Sequence, residues 1–490
     1  MSVSPRLNRN VVIGCAAAVA LVAGLAVSLG GDADDPSSSD GPVVTRTPTQ
    51  AVDVIESATP AQSANQLARR LFLRSRTAVV VDRRDPAAQQ AGIREAERLG
   101  VPVLVSDPTL TSVVKHLGAT SLLTAGRVRP VDGVRATRLE AGAGSAAAPR
   151  TNDAVVVTRS RKANAVAVAT ARIAGATVVE VPSGDPRTSK AAATALRARP
   201  DAPVIALGRP FARGFAYTSQ VVRRGVKQPT GGYLALPGKH YTAMYGHPGA
   251  PQLGVLGEQG VRASVERVER LARKYRRISS AEFVPTFEII ATVASGGAGK
   301  DKNYSNEVSV KELTPMVDAA EKAGVYVILD LQPGRTDFLT QAKQYRALLE
   351  RPHVGLALDP EWRLKPKQKH LRQIGSVTVG EVNRTADWLA ALTRRKLLPQ
   401  KLFVLHQFST SMISDRSRLD TGHAELASVI HVDGSGPQGA KQGTWKVLRQ
   451  NAPDVDGWGW KNFIDEDEPM LDVRQTWSQV RPRPELITYQ

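Results

Sequence analysis

The sequence predicts an α/β protein with two folded parts, a Rossmann-like parallel-sheet domain built from a tandem repeat and then a (β/α)8 barrel of the TIM type. Three observations favour this fold class. Short apolar runs alternate with stretches long enough for a helix, two segments of the first half repeat one order of elements, and 490 residues exceed what a single hydrophobic core usually serves. Such alternation is typical of parallel sheets covered by helices.

The chain opens with a predicted targeting segment. Basic residues precede an uncharged apolar run from 11 to 30, and acidic, Ser-rich sequence follows it. This order is typical of a secretory signal or an uncleaved membrane anchor, so residues 1–30 predict an extracellular protein of the cell envelope. The polar residues 31–65 are predicted to form a disordered linker. Cys15 is the only cysteine, which excludes an intramolecular disulfide.

The charge balance indicates which partners to expect. The formal net charge is +19, from 65 Lys and Arg against 46 Asp and Glu, and such a surface favours anionic polymers. The basic residues are scattered singly along predicted helices with few aromatic residues between them. This pattern is typical of a solvated surface, so no nucleic-acid partner is predicted.

Residues 66–210 are predicted to form a tandem repeat. TAVVVD, starting at Thr77, is followed by a helix, an apolar strand, a second helix and a third strand. DAVVVTR, starting at Asp153, is followed by the same elements in the same order. Both units therefore read β-α-β-α-β, and right-handed crossovers would place the helices on the two faces of a parallel sheet.

The first unit carries a family resemblance. From Ala96 to Arg127 a small-residue helix leads through a Gly-x-Pro step into an apolar strand, an Asp-Pro turn, a helix and a strand ending in Gly126. This segment resembles the type 2 cell-wall-binding repeat of Gram-positive surface proteins, and the second unit has the same rhythm more loosely. The resemblance implies non-covalent attachment to an anionic wall polymer or cell-wall polysaccharide. The alternative is an ordinary sheet domain that packs beside the barrel.

After a predicted connector at 211–240, residues 241–490 are predicted to form the barrel. Eight apolar runs occur in this part, and most of them are separated by room for one helix. They are YTAMYGHPG, FVPTFEIIATV, YVILDLQPG, VGLALDPEW, KLFVLHQFS, SVIHVDGSG, VDGWGWKNF and PELITYQ.

Four carboxyl groups at or near the ends of these runs are the predicted catalytic residues. Glu288 lies inside an apolar run, where an ionisable group is costly unless it has a partner or a function. Asp330 ends the third run, and Asp359 and Glu361 follow the fourth as Asp-Pro-Glu. Two residues apart on an extended chain, the last two would face the same way. The motif and the architecture resemble glycosidase-like TIM barrels, and paired carboxyl groups are what glycoside hydrolysis requires.

A second set of residues at the run ends is predicted to bind the substrate. Imidazoles and polar groups would bind sugar hydroxyls, and tryptophans would stack on sugar rings or, equally, pack beneath the helices. This set consists of His247, Trp362, His406, Gln407, Asp433, Trp458 and Trp460.

Three functions remain open on the sequence alone. The first is an exported glycoside hydrolase without a cofactor, acting on a wall or extracellular polysaccharide. The second is a non-catalytic surface protein whose barrel binds saccharide or is only a scaffold, in which the carboxylates would each be paired with an arginine or lysine and no cleft would be accessible. The third is a metal-dependent hydrolase or deacetylase, in which nitrogen and oxygen atoms of the barrel would bind the metal ion. The candidate ligands are His247, Asp330, Asp359, His406 and Asp433. The spacings typical of zinc motifs do not occur, so no metal is predicted.

Overall fold

The computed structural model describes residues 43–140 and 147–490, which belong to one compact unit. Two four-stranded parallel sheets form the N-terminal domain, and eight parallel strands close into a barrel with helices outside it. The predicted fold class is confirmed. The predicted targeting segment at 1–30 lies outside the described residues. Within the described ranges, every helix is too short or too polar to cross a membrane.

The N-terminal domain begins with a short strand pair and continues through both repeats. Its elements in chain order are β1 (Val44–Thr45), β2 (Val52–Ile55), α1 (Pro60–Leu71), β3 (Phe72–Arg74), β4 (Thr77–Asp82), α2 (Pro86–Leu99), β5 (Val103–Ser106), α3 (Leu110–Leu117), β6 (Ser121–Ala125), β7 (Arg135–Arg138), β8 (Val155–Thr158), α4 (Ala165–Ile173), β9 (Thr177–Glu180), α5 (Lys190–Ala198), β10 (Val204–Leu207) and α6 (Phe215–Arg224).

The two repeats have the same topology. One sheet has the order β5-β4-β6-β7 and the other has the order β9-β8-β10-β2, so the first strand of each repeat lies between its second and third strands. A fourth strand completes each sheet beside the third one. The sheets share a hydrophobic core, and Thr170 on α4 donates a hydrogen bond to the carbonyl of Val103 on β5 at 2.8 Å. The repeat predicted from the sequence is therefore present as two similar sheets.

Two predicted boundaries are wrong. Much of the linker predicted at 31–65 is ordered from residue 43, since β2 pairs with β10 and α1 begins at Pro60 after the cap Thr59. The connector predicted at 211–240 contains α6, whose Tyr217 hydroxyl donates to the carbonyl of Leu398 in the barrel at 2.7 Å. Both segments have a polar or irregular composition, so the sequence did not predict their ordered elements. Pairing and packing with distant parts of the chain stabilise these elements.

The barrel occupies the rest of the chain. Its elements are β11 (Lys239–Gly246), α7 (Val261–Arg276), β12 (Glu282–Ala294), β13 (Ser305–Glu307), α8 (Val310–Ala323), β14 (Tyr326–Leu331), α9 (Phe338–Gln344), α10 (Arg346–Leu349), β15 (Val354–Leu358), β16 (Val377–Thr378), α11 (Val379–Arg395), β17 (Lys401–Gln407), β18 (Ile413–Ser414), β19 (Leu426–Val432), α12 (Gln438–Arg449), β20 (Gly457–Asn462), α13 (Val473–Gln479) and β21 (Leu486–Tyr489).

Each of the eight apolar runs forms one barrel strand. The order around the barrel is β11-β21-β20-β19-β17-β15-β14-β12, and β12 pairs again with β11 to close it. In the fully described stretch between β17 and β19 the crossover has no α-helix. The N-terminal domain contacts the barrel at this crossover, where Arg187 donates a hydrogen bond to the carbonyl of Ala424 at 2.7 Å. At the other end of the strands, Ala235 and Leu236 belong to the apolar interior of the barrel.

Candidate active site

Alternate residues of the barrel strands point inward, and they change from apolar to polar along each strand. On β14, Tyr326 and Ile328 belong to the apolar interior and Asp330 follows them. On β17, Val404 is followed in the same way by His406. Barrel enzymes place their chemistry at this C-terminal end of the strands. The polar layer there, called the mouth below, contains Tyr245, Glu288, Asp330, Asp359, His406, His431, Asp433, Lys461 and Thr488.

His406 lies between two carboxylates at the centre of the mouth. Its Nε2 is 2.8 Å from Oε1 of Glu288, and its Nδ1 is 2.8 Å from Oδ2 of Asp433. Burial opposes a charge on the imidazole, but the charges of Glu288 and Asp330 and the hydrogen bond to Asp433 raise the pKa of His406 well above its ordinary value. His406 is therefore an imidazolium that donates a proton in a hydrogen bond to each carboxylate.

Both carboxylate oxygens of Glu288 accept hydrogen bonds. The Thr488 hydroxyl donates to its Oε2 at 2.9 Å, and the side chain has no exposed surface. Burial disfavours its charge, yet the nearby imidazoles of His431 and His406 lower the pKa of Glu288 well below the ordinary value. This group is ionised, fully bonded and closed to substrate. The catalytic role predicted for Glu288 stays a prediction, and what the geometry shows is a buried carboxylate bonded to His406 and Thr488.

Asp330 is bonded to Tyr245 on the neighbouring side of the mouth. The Tyr245 hydroxyl donates to Oδ2 of Asp330 at 2.7 Å and accepts a hydrogen bond from Gln332 at 3.2 Å. Burial raises the pKa of Asp330. The ammonium group of Lys461 lies 3.6 Å from the centroid of the Tyr245 ring, a cation–π distance. One cation thus lies close to the carboxyl groups of the mouth.

Asp359 and Glu361 both lie beside the charged groups of the mouth, but not on an extended strand as their spacing predicts, because Pro360–Trp362 form a 3-10 turn after β15. Burial, and then the charge of Glu361, raise the pKa of Asp359 well above its ordinary value. Burial and the charge of Asp433 raise the pKa of Glu361 to about 7. Glu361 is half-buried, whereas Asp359 is buried. Glu361 is therefore the carboxyl group that is both reachable from solvent and partly protonated near neutral pH.

Asp433 has the opposite electrostatic environment. Burial disfavours its charge, but the hydrogen bond and the charge of His406 lower the pKa of Asp433, and the charge of Lys461 acts in the same direction. One oxygen each of Asp359 and Asp433 and one ring nitrogen of His406 lie within 4.8 Å of one another. Carboxyl groups from different strands therefore converge in the mouth, with Asp433 ionised.

Three carboxyl oxygens in the mouth have no hydrogen-bond partner among the described residues. They are Oδ1 of Asp330, Oδ1 of Asp359 and Oδ1 of Asp433, and all three are buried. A buried oxygen without a partner costs free energy. These three oxygens are therefore the carboxyl atoms of the mouth whose hydrogen-bonding capacity the described residues leave unused.

The two tryptophans of β20 do not reach the mouth. Gly459 points inward, since a Cβ there would lie 2.5 Å from the ring of His431, and the alternate residues Trp458 and Trp460 point outward. Their rings lie 6.0 and 5.7 Å from that of Trp445 on α12. The prediction that they bind sugar in the mouth is wrong because they pack beneath a helix.

Gln407 also points away from the mouth. It follows the inward-facing His406, is fully buried, and is bonded to Ser409 and Arg416 outside the barrel interior. A direct neighbour of an inward residue on a strand must face outward, which is why this prediction is wrong.

Two further predicted binding residues lie at the edge of the mouth. His247 is half-buried, with its Nδ1 3.1 Å from the carbonyl of Ile290. Trp362 is half-buried as well, and its ring packs edge-on against His370 at 5.3 Å. The rim position of Trp362 is compatible with contact to a long ligand.

Sequence reasoning missed four members of the mouth: Tyr245, His431, Lys461 and Thr488. Lys461 carried a usable signal, because it interrupts an apolar strand just as Glu288 does. The Gly-Trp-Gly-Trp alternation before Lys461 indicates that Gly459 and Lys461 share one face of β20 and the two tryptophans share the other. Tyr245 and Thr488 carried no signal, since both residues are common in ordinary strands.

The metal-ligand hypothesis meets a chemical obstacle. Donor atoms of Glu288, His406 and His431, and those of Asp359, His406 and Asp433, converge within 4.8 Å in each group. Both groups depend on His406, and its two nitrogens each donate to a carboxylate, so neither has a free lone pair. A metal ion would have to displace one of these hydrogen bonds.

Comparisons with known proteins provide little that bears on this site. No family model matches the sequence, and no curated protein matches it. Among solved structures, a glycoside hydrolase family 6 enzyme from Coprinopsis cinerea is 10% identical over 39% of this chain and 60% of its own, with a TM-score of 0.21. A cellobiohydrolase mutant of that enzyme in the closed form is 10% identical over 46% of this chain and 67% of its own, also with a TM-score of 0.21. A likeness of this extent carries no conclusion about the function of this chain.

Proposed function

We propose that this protein is an exported enzyme that hydrolyses glycosidic bonds in a polysaccharide of the cell wall or the extracellular space. The observation that carries the proposal is the contrast between two neighbouring carboxyl groups of the mouth. Burial raises the pKa of Glu361 to about 7, whereas the hydrogen bond from His406 lowers the pKa of buried Asp433. Environments that separate two carboxyl pKa values are typical of an acid and a base in one active site.

The two groups have complementary roles in the proposed reaction. Glu361 donates its proton to the glycosidic oxygen as the bond from that oxygen to the anomeric carbon breaks. Asp433, as the carboxylate, either removes a proton from the attacking water or attacks the anomeric carbon itself. In the second case water then cleaves the glycosyl ester on Asp433, and Glu361 takes the proton of that water. His406 and Glu288 hold Asp433 ionised and in place. Asp359, at the end of β15 next to Glu361, accepts a hydrogen bond from a sugar hydroxyl through its unpaired Oδ1.

Two sequence features support the proposed location. The basic and apolar segment at 1–30 is typical of export, and the repeat at 66–210 resembles a wall-binding family. An uncleaved segment would hold the enzyme at the membrane, and a cleaved one would release it to the wall.

The test measures the release of reducing ends from isolated bacterial wall glycans and a panel of polysaccharides. We expect Glu361→Gln and Asp433→Asn to lower the rate by about 100-fold or more, because each removes one half of the acid–base pair. Glu266→Gln is the matched control, since Glu266 is an exposed residue of α7 whose one ion pair among the described residues is with Arg262. Its rate should equal that of the wild type.

Three outcomes would contradict the proposal. Release that survives both substitutions would mean that other groups perform the chemistry. No release from any substrate would favour the non-catalytic binding protein. A stoichiometric bound metal whose chelation abolishes activity would favour the metal-dependent hydrolase.

A further inference from the structure

A strongly basic segment follows the acidic mouth along the chain. Five of the ten residues 363–372 are Lys or Arg, and none is acidic. The segment connects the turn that carries Glu361 to β16 and α11. With Arg335 from the loop after β14, its cations form what we call the basic rim: Arg335, Arg363, Lys365, Lys367, Lys369 and Arg372.

The basic rim is tied to the C-terminal face of the barrel. Leu364 donates its amide to the carbonyl of Gly334 at 2.7 Å, which extends the pairing of β14 and β15 beyond the mouth. Arg335 donates to the carbonyl of Gln368 at 2.9 Å, and His370 lies 2.9 Å from the carbonyl of Tyr304. The position of the cations relative to the mouth is therefore set by several long-range contacts.

Most charges of the basic rim are not neutralised within the protein. Arg363 pairs with Glu381 at 2.9 Å, while the other five cations form no ion pair with any described residue. A cavity of about 420 Å³ lies beside them, and its lining includes Arg335 and Lys365 as well as Glu381, whose charge is paired with that of Arg363. The lining therefore has an excess of positive charge, which attracts ligands of the opposite sign.

An aromatic path joins the basic rim to the mouth. The ring of Trp362, next to Glu361, packs against His370, and His370 lies 6.3 Å from the ring of Tyr304. The Arg335 guanidinium lies 4.4 Å from the centroid of Tyr304. From Glu361 to Arg363 the Cα atoms are at most about 7 Å apart. One extended polymer could therefore occupy the mouth and the basic rim together.

We infer that the basic rim binds acidic substituents, carboxylate or phosphate, of the glycan whose bonds are cleaved in the mouth, so that the substrate class is acidic polysaccharide. The inference rests on the proposed function. The mouth itself has more carboxyl groups than cations, so it does not attract acidic groups. The basic rim attracts the acidic groups of the glycan beside the mouth. The glycosidic bond to be broken then lies next to Glu361.

The test measures binding separately from hydrolysis. Affinity of the full chain is measured for dextran, carboxymethyl dextran and phosphorylated dextran of one length, at low and at high salt. We expect at least about tenfold tighter binding of the two acidic polymers at low salt, because exposed ion pairs contribute little singly but add up over several charges. The tighter of the two identifies the acidic group.

A triple substitution tests the assignment to the basic rim. Lys365→Gln, Lys367→Gln and Lys369→Gln together should lower the affinity for the acidic polymers about tenfold and leave dextran unchanged. The matched control replaces three exposed lysines that lie on outer helices and form no ion pair with described residues, at unchanged total charge loss. These control positions are Lys322, Lys343 and Lys446.

The results separate this inference from the proposed function. Equal binding of all three polymers, or equal losses in the triple variant and its control, would overturn the inference even if glycans are cleaved. Tighter binding of single-stranded DNA of equal charge would overturn the assignment to a glycan. Rim-dependent binding of acidic polymers without cleavage of any glycan would support the basic rim as a binding site and refute the hydrolase.

Discussion

Replacing Glu288 by Gln tests the charge network at the centre of the barrel. The variant keeps the shape of the side chain and can still accept from His406, but it removes the negative charge beside the imidazolium. Breaking a buried ion pair costs about 3–5 kcal/mol, and the retained shape places the expected loss near the lower end, about 3 kcal/mol of unfolding free energy. Both partners have no exposed surface, so solvent does not screen the effect.

The loss should depend on pH in a defined window. The folded pKa of His406 lies above 6.5, so its stabilisation is complete below pH 6.5 and disappears as the pH rises through the folded value. The folded pKa of Glu288 lies below 4.5, so its stabilisation is complete above pH 4.5 and disappears as the pH falls through the folded value. The difference in unfolding free energy between wild type and Glu288→Gln is therefore largest between pH 4.5 and pH 6.5.

The assay is urea unfolding followed by tryptophan fluorescence, which reports on the barrel because all six tryptophans lie after residue 361. Thr488→Val is the matched control, since it removes the other hydrogen bond to Glu288 and no charge. It should cost about 1–3 kcal/mol, with no decline above pH 6.5. A loss in Glu288→Gln below 1 kcal/mol, or one that is the same from pH 4 to 9, would refute the charged network.

Three further predictions follow from the same geometry. The pH–rate profile of hydrolysis should fall above pH 7 as Glu361 loses its proton. In Lys461→Met this decline should move to higher pH, because the charge of Lys461 lowers the pKa of Glu361. An unchanged profile in that variant would contradict the placement of Lys461. Gly459→Ala should destabilise the barrel by about 2 kcal/mol in the same unfolding assay, because its Cβ would overlap the ring of His431. Gly443→Ala, on an open face of α12, should instead stabilise the barrel by about 0.5–1 kcal/mol, and a similar effect of the two alanines would refute the inward orientation of Gly459.

Much of the barrel could be predicted because its signal is local. A strand buried on both faces needs a continuous apolar run, so each of the eight runs was visible without knowledge of its neighbours. The spacing of Asp359 and Glu361 did not settle their orientation, because Pro360–Trp362 form a 3-10 turn and not an extended strand. The two tryptophans of β20 were ambiguous, because alternation indicates that two residues share a face but not which face meets the interior.

The sequence by itself determined the order of strands and helices, the repeat in the first half, and the strand ends at which polar groups would gather. Only the tertiary structure decided which groups meet: Glu288 and Asp433 contact opposite nitrogens of His406, although the Glu288 side chain is 118 residues from His406 in the chain. Protonation depends on burial and on charges a few ångströms away, and those neighbours come from different strands. Distances along the chain therefore could not tell that Glu288 is a sealed partner of a histidine while Glu361 remains open to a ligand.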